Sequence, residues 1–152
     1  PIWEIMMKIR QRVTLIILRD EKLLLIRRTR DGRTFTVLPG GGVEDGETLA
    51  AAAIREALEE TSLAISLGPI LWTRPITTSV SNGNTFEQVE TAYLITEFTG
   101  TPNLNLAEFP HHSPDNLYEL AWVNVNDVPE TAVYPGPLPA AAIQTIANKK
   151  AA

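Results

Sequence analysis

Two runs rich in leucine and β-branched residues, at positions 12–18 and 22–28, are separated by Asp20-Glu21. Short apolar runs bounded by turn residues predict two strands joined by a tight turn. Asp31-Gly32 marks another turn, and residues 35–38 read as a short third strand that Pro39 stops. Gly40, Gly41 and Gly42 read as loop. The clearest helix is 48–61. It is alanine-rich, and Ala50, Ile54, Ala57 and Leu58 form an apolar stripe at helical spacing. Asp45 or Gly46 is placed to cap its start.

Further along, 65–78 and 85–98 read as extended, with Ser81-Asn82-Gly83-Asn84 as the hairpin turn between them. Residues 102–117 are polar, contain proline and lack periodicity, which predicts an exposed loop. A strand follows at 119–125. Pro135-Gly136-Pro137 then breaks the chain before a second helix at 138–149. There is no internal repeat. Strand groups flanking a helix, with a helix closing the chain, predict an α/β protein with a mixed sheet and helices on its faces.

Composition narrows the function. A chain of 152 residues suits a single domain, 1–152, able to bury its own core. The absence of cysteine excludes disulfides, thiolate metal sites and a cysteine nucleophile. A net charge of -5 argues against nucleic-acid polymers as partners. It leaves room for a small phosphorylated substrate, whose charge a metal or a few local cations neutralise. Residues 1–12 lack the apolar core and cleavage site of a signal peptide. No apolar run is long enough to span a bilayer. The expected compartment is the cytoplasm, with no membrane partner.

The chemistry concentrates at residues 41–63, GGVEDGETLAAAAIREALEETSL. Behind the glycines stand Glu47, Arg55, Glu56, Glu59 and Glu60. Positions 56, 59 and 60 share one helix face, where carboxylates repel by roughly 0.2–0.5 kcal/mol per close pair. They also crowd the last turn, where the helix dipole disfavours negative charge. Taken alone, such a run is usually a solvated acidic face. The order strand, proline, glycines, capped helix and acid cluster reverses that reading. Clustered hard oxygen ligands suit Mg²⁺, with Mn²⁺ as a substitute.

This segment resembles the Nudix box, G-x5-E-x7-R-E-U-x-E-E-x-G-U, where U is a bulky aliphatic residue. Gly41, Glu47, Arg55, Glu56, Glu59, Glu60 and Leu63 fall in register. At about 6–7% usage each, six matches among the glycine, glutamates and arginine have a chance probability on the order of 10⁻⁷ per starting position. Ala57 departs from the usual aliphatic, and Ser62 replaces the helix-ending glycine. The strand order before the box and the strand-and-tryptophan segment after it extend the likeness over most of the chain.

The resemblance implies an α/β/α sandwich, a mixed sheet with helices on both faces. It implies metal-dependent hydrolysis of a diphosphate linkage in a nucleoside triphosphate or other nucleoside diphosphate-linked small molecule. Glu56, Glu59, Glu60 and the Gly40 carbonyl would hold the metal, with Glu47 and Arg55 in support, Arg55 holding a carboxylate in place. Glu59 would assist deprotonation of the attacking water, and Glu119 is the candidate outside the box, as base or as substrate contact. Arg28 resembles a phosphate-contacting position, with Arg27, Arg30 and Arg33 as alternatives. Trp72, Phe86, Tyr93 and Trp122 offer stacking surfaces, although such residues are more often core. His111 and His112 read as surface residues. Diphosphate-carrying isomerases share this fold but rely on a cysteine absent here. Non-catalytic Nudix-like nucleotide-binding or regulatory modules usually lose box glutamates, and all are kept here. No proline falls at 77–80, where ADP-ribose-cleaving members tend to carry one, and no coenzyme-A-type signature lies upstream. Small nucleoside triphosphates come slightly ahead by elimination. Oligomeric state stays open, a homodimer included.

Overall fold

The computed structural model describes residues 9–79, 83–110, 112–128 and 133–151. The first eight residues, the expected turn residues Ser81 and Asn82, and His111 lie outside them. Strands β1 (Arg10–Arg19) and β2 (Lys22–Arg30) form the expected hairpin. Asp20 and Glu21 both take positive φ, 49° and 69°. That is the backbone a two-residue hairpin turn requires. Asp31 and Gly32 repeat the device, at 52° and 75°, before β3 (Arg33–Val37).

The hairpin is zipped only at its tip, where Leu18 faces Leu23 and Arg19 faces Lys22. Below that the sheet forks. β1 pairs antiparallel with β4 (Gly40–Gly42) and parallel with β7 (Thr85–Ile95), and β7 pairs with β6 (Ile70–Ser79). β2 pairs with β3 and with β9 (Asn116–Asn124), and β3 with β10 (Val133–Tyr134). The result is an eight-stranded mixed sheet among the described residues. A separate ladder joins β5 (Ala64–Ser66) to β8 (Glu97–Thr99).

Both faces of β1 are buried, which explains its unbroken apolar run. Val13, Leu15 and Ile17 enter one cluster with Leu24, Tyr93, Ile95 and the helix α1 (Leu49–Thr61). Ile16 and Leu18 enter the other with Leu23, Leu25, Leu94 and Ile146 of the helix α2 (Ala140–Ala151). Each such fully buried leucine or isoleucine contributes about 1.5–3 kcal/mol. One helix therefore covers each face, as the α/β/α sandwich requires.

Three local expectations are corrected. Residues 40–42 are a strand and not a loop, pairing Gly40 with Thr14, Gly41 with Val13 and Gly42 with Arg12. The reason is space. A Cβ on Gly40 would lie 2.1 Å from the Val13 carbonyl oxygen, and one on Gly41 would lie 2.4 Å from Glu56 Oε1. Tertiary packing overrides glycine's weak strand preference.

The helix cap is Thr48, not Asp45 or Gly46. Its hydroxyl accepts from the Ala51 N–H at 3.0 Å. Gly46, at φ 78°, belongs instead to the turn closed by Glu47 N–H on Glu44 O. The buried face of α1 is Ala52, Ala53, Ala57 and Thr61, whereas Ile54 and Leu58 are 47% and 58% exposed. Of the expected stripe only Ala57 is inside. The small alanines let the helix axis lie close to the sheet, and the bulky pair turns outward.

α1 ends at Ser62 in the left-handed conformation, φ 63° and ψ 18°, with its N–H on Leu58 O. A non-glycine residue there costs about 1–2 kcal/mol. The expected loop at 102–117 is mostly irregular, with a 3₁₀ turn at Leu106–Glu108 and the start of β9 at its end.

Packing of α1 through its alanines has a direct consequence. Ala53→Leu should overpack the interface and cost about 1–3 kcal/mol. Ile54→Ala, one residue along, should change stability by no more than about 0.5 kcal/mol. Urea unfolding of both variants checks this; equal losses would contradict the helix orientation.

Candidate active site

The close approach of α1 to β4 builds the site. In an antiparallel ladder, alternate residues point their backbone groups at the neighbouring strand. Pro39 O accepts from Leu15 N–H at 2.8 Å, and Val43 N–H donates to Gln11 O at 2.9 Å. Gly40 and Gly42 therefore turn their polar groups away from β1. The Gly40 N–H donates to Glu60 Oε1 at 2.7 Å, and Gly42 O accepts from Arg55 Nη2 at 3.0 Å. The Gly40 carbonyl shares that edge. Glu56 fills the space above Gly41 that a side chain would take.

Arg55 is the centre of the arrangement. Its Nε and Nη2 grip Glu47 at 2.7 and 2.8 Å, a two-pronged pairing. Its Nη1 donates to Glu56 Oε1 at 2.9 Å and to Glu59 Oε2 at 3.1 Å. The planar fork of the guanidinium suits this task. Arginine thus holds three carboxylates and a strand carbonyl, where the sequence implied one carboxylate.

The electrostatics divide the acids. The Arg55 guanidinium, helped by the Glu44 N–H, draws the Glu47 carboxyl down to about 2. Glu47 in turn holds the Arg55 guanidinium above its ordinary range. Burial pushes Glu56 up, against the pull of Arg55. Burial also pushes Glu60 up to about 8; the Gly40 N–H and Arg12 oppose this, while Glu56 and Glu108 add to it. Four carboxylates, Glu47, Glu56, Glu59 and Glu60, share the guanidiniums of Arg55 and Arg12, and Glu56 and Glu60 are pressed together out of water. Excess negative charge on hard oxygens is what a divalent ion neutralises. Among the described residues no three such groups already converge on one point, since Arg55 occupies Glu56 and Glu59.

Other candidates lie elsewhere. Arg28 is on β2, its Nε on Asn116 Oδ1 at 3.0 Å and its guanidinium over the rings of Phe35 and Tyr118. A groove of about 460 Å³ adjoins it, lined also by Arg30, Asp31, Ser113, Asp115 and Asn116. Arg27 and Arg33 are exposed. Glu119 faces Arg27 across the β2–β9 ladder. By strand alternation it shares the face of Leu25 and Val123, the α2 side. Among the described residues no hydrogen bond or ion pair joins it to the box glutamates.

Trp72 donates its indole N–H to Glu90, and Tyr93 is core. Phe86 lies under Arg10, and Trp122 stacks on Phe98 beneath Arg19. His112 Nδ1 accepts from the Tyr118 N–H, tying down the loop.

Two features escaped the sequence reading. Glu90 is fully buried, accepting from Thr14, Trp72 and Arg74. Glu108 reaches Glu60 electrostatically from a distant loop, and nothing local marks it.

The sequence model of the NUDIX domain matches residues 8–142, box and flanking strands together. This chain belongs to the Nudix family. It is 32% identical over 129 residues to the uncharacterized Nudix hydrolase YvcI of Bacillus subtilis, covering 83% of this chain and 73% of that protein. It is 27% identical over 106 residues to an RNA pyrophosphohydrolase of Erythrobacter litoralis, covering 63% of each chain. Among solved structures, the MutT Nudix hydrolase of Burkholderia pseudomallei aligns with TM-score 0.63 and 28% identity, over 92% of this chain and 97% of that one. The fork of the sheet and the helix on each face are thus the Nudix fold.

Linkage sets the pH behaviour of the metal-free protein. Glu60 has a folded-state pKa near 8 against an ordinary value of 4.5, so the folded state holds its proton longer. Stability supplied by the neutral acid is present below about pH 4.5 and is lost as pH rises towards 8. Melting in EDTA should therefore decline over that window in wild type and much less in Glu60→Gln. Parallel pH profiles for the two would contradict the burial of Glu60.

Proposed function

We propose that this Nudix protein hydrolyses a diphosphate linkage in a nucleoside triphosphate or another nucleoside diphosphate-linked small molecule, with Mg²⁺ as cofactor and Mn²⁺ as substitute. The observation that carries the reading is the Arg55-centred carboxylate cluster set against the Gly40–Gly42 strand. The pyrophosphohydrolase among its relatives supports the reaction class.

Glu56, Glu59, Glu60 and the Gly40 carbonyl are the proposed metal ligands. A divalent ion there supplies neutralisation of phosphate charge and a more acidic water. Arg55 and Glu47 keep the ligands aimed. Glu59 has 36% of its side chain exposed against 12% for Glu56, so it meets solvent most readily. We assign it the proton of the attacking water. The water oxygen bonds to phosphorus, the bridging P–O bond breaks, and the departing phosphate takes the electron pair. Arg28 is the proposed phosphate contact, with its groove open to the rest of the substrate. Glu119, on the α2 side of the sheet, is kept as the alternative base and substrate contact outside the box. The proposed setting is the cytoplasm. No helix among the described residues is long and apolar enough to cross a membrane.

The test is product release over a panel of nucleoside triphosphates, dinucleoside polyphosphates, nucleotide sugars, ADP-ribose and 5′-triphosphorylated RNA, with Mg²⁺, Mn²⁺ or excess EDTA. At least one small nucleotide should turn over, and only with metal. Glu59→Gln and Glu60→Gln should each lower turnover by about 10²-fold or more, the scale of a positioned catalytic group. Full turnover in EDTA, or near-normal turnover by Glu60→Gln, would overturn the assignment. Saturable nucleotide binding with no turnover of any compound would favour a binding module instead.

A further inference from the structure

Gly40 has little of its own to hold it in place. It takes φ 150°, it starts a run of three glycines, and Pro39 before it brings no N–H to the sheet. Its N–H is nevertheless fixed on Glu60 Oε1 at 2.7 Å. Support for this backbone comes from the opposite face of β1. Val13 and Leu15 enter the α1 cluster and Ile16 the α2 cluster, so Arg12 and Thr14 lie on the α2 side.

Arg12 is only 8% exposed. Its Nη2 donates to Leu38 O at 3.1 Å, two residues ahead of Gly40, and its Nε donates to Thr14 Oγ1 at 3.3 Å. The Leu38 N–H donates to Tyr134 O at 2.9 Å, and the Tyr134 ring lies 5.3 Å from the Arg12 guanidinium. Both polar groups of Leu38 are thus held, one by main chain and one by Arg12. The Thr14 hydroxyl passes the connection on, donating to Glu90 Oε2 at 2.7 Å. Neither Thr14 nor Glu90 has any exposure. Glu90 Oε1 accepts from Trp72 Nε1 and Arg74 Nε, each at 2.6 Å, which ties the carboxylate to β6. Buried ion networks are weak contributors to stability, and apolar replacements often serve as well. What this one supplies is a fixed guanidinium behind the Leu38 carbonyl.

We propose that Arg12 is a positioning residue: anchored by Thr14 and Glu90, its guanidinium holds the Leu38 carbonyl and so keeps the Gly40 backbone aimed at the box acids. Residues 38–40 are then held between two side chains, Arg12 from the α2 side and Glu60 from α1. This rests on the reading of the box acids and the Gly40 carbonyl as the metal site. Arg12 itself need touch neither the ion nor the substrate.

Two measurements separate the proposal from that reading. One is amide exchange by NMR on the metal-free protein, for wild type, Thr14→Val, Thr14→Ser and Ile16→Val. Valine nearly keeps the shape of threonine but removes the hydroxyl between Arg12 and Glu90, and serine retains it. Ile16→Val loosens the same side of β1 and leaves the network alone. Thr14→Val should speed exchange of the Gly40 N–H about three- to tenfold relative to the Leu94 N–H, the equilibrium factor of one ordinary hydrogen bond. Thr14→Ser and Ile16→Val should keep the wild-type ratio. The other is a Mn²⁺ titration by calorimetry on the same four proteins. Thr14→Val should bind about three- to tenfold more weakly. Thr14→Ser and Ile16→Val should bind as wild type does, although Ile16→Val melts lower. Should Thr14→Val fail to fold, Arg12→Lys takes its place with the same expectations, since lysine keeps the charge but has no fork to span Thr14 and Leu38. Unchanged Gly40 exchange in the variant, or equal losses in it and in Ile16→Val, would overturn the proposal. Wild-type Mn²⁺ binding that the variant leaves at full strength would overturn it alone. Wild type that binds no Mn²⁺ would overturn the metal reading and the proposal with it.

Discussion

The guanidinium of Arg55 is the interaction on which the site depends. It sits between carboxylates that would otherwise repel across a helix face and at the wrong end of a dipole. By gripping Glu47 with two prongs it takes its own orientation from the turn ahead of α1. From there it reaches Glu56, Glu59 and the Gly42 carbonyl. One residue thus ties the turn, the helix and the glycine strand into a single unit. Its single charge is shared among three carboxylates, and the divalent ion proposed for the site would make up that deficit.

The fold serves this unit by packing a helix against a glycine strand, with Glu56 where a side chain at Gly41 would lie. Alanines at 52, 53 and 57 thin the helix on its inner side, and glycines at 40 to 42 thin the strand. The glycine strand would not be chosen for stability alone. The buried apolar strands on either side supply the stability, with β1 embedded between two clusters. A site in which acids are pressed together and Ser62 is held left-handed is kept at some expense of stability.

Much of this was legible in the sequence, and the failures share a cause. The hairpins showed through because Asp20-Glu21 and Asp31-Gly32 interrupt apolar runs, a purely local signal. The box residues showed through because their spacing matches a helix face. What failed depended on partners distant in sequence. The glycine strand exists only because β1 lies beside it. The buried stripe of α1 was misread because apolarity was weighed by size, while the sheet selects small residues.

The central claim is that the acid cluster is a metal site and not a solvated face. Its most direct test is a thermal melt of wild type and Glu59→Gln, with and without Mn²⁺, at constant ionic strength so that plain screening is excluded. Wild type should gain saturably, by about 2.7 kcal/mol at a hundred times the dissociation constant, a shift of several degrees for a chain of this size. Glu59→Gln should lose most of that gain while its metal-free form melts as high as wild type or higher. A wild type that gains nothing from the ion, or a metal-free Glu59→Gln that melts far lower, would show the cluster to be structural.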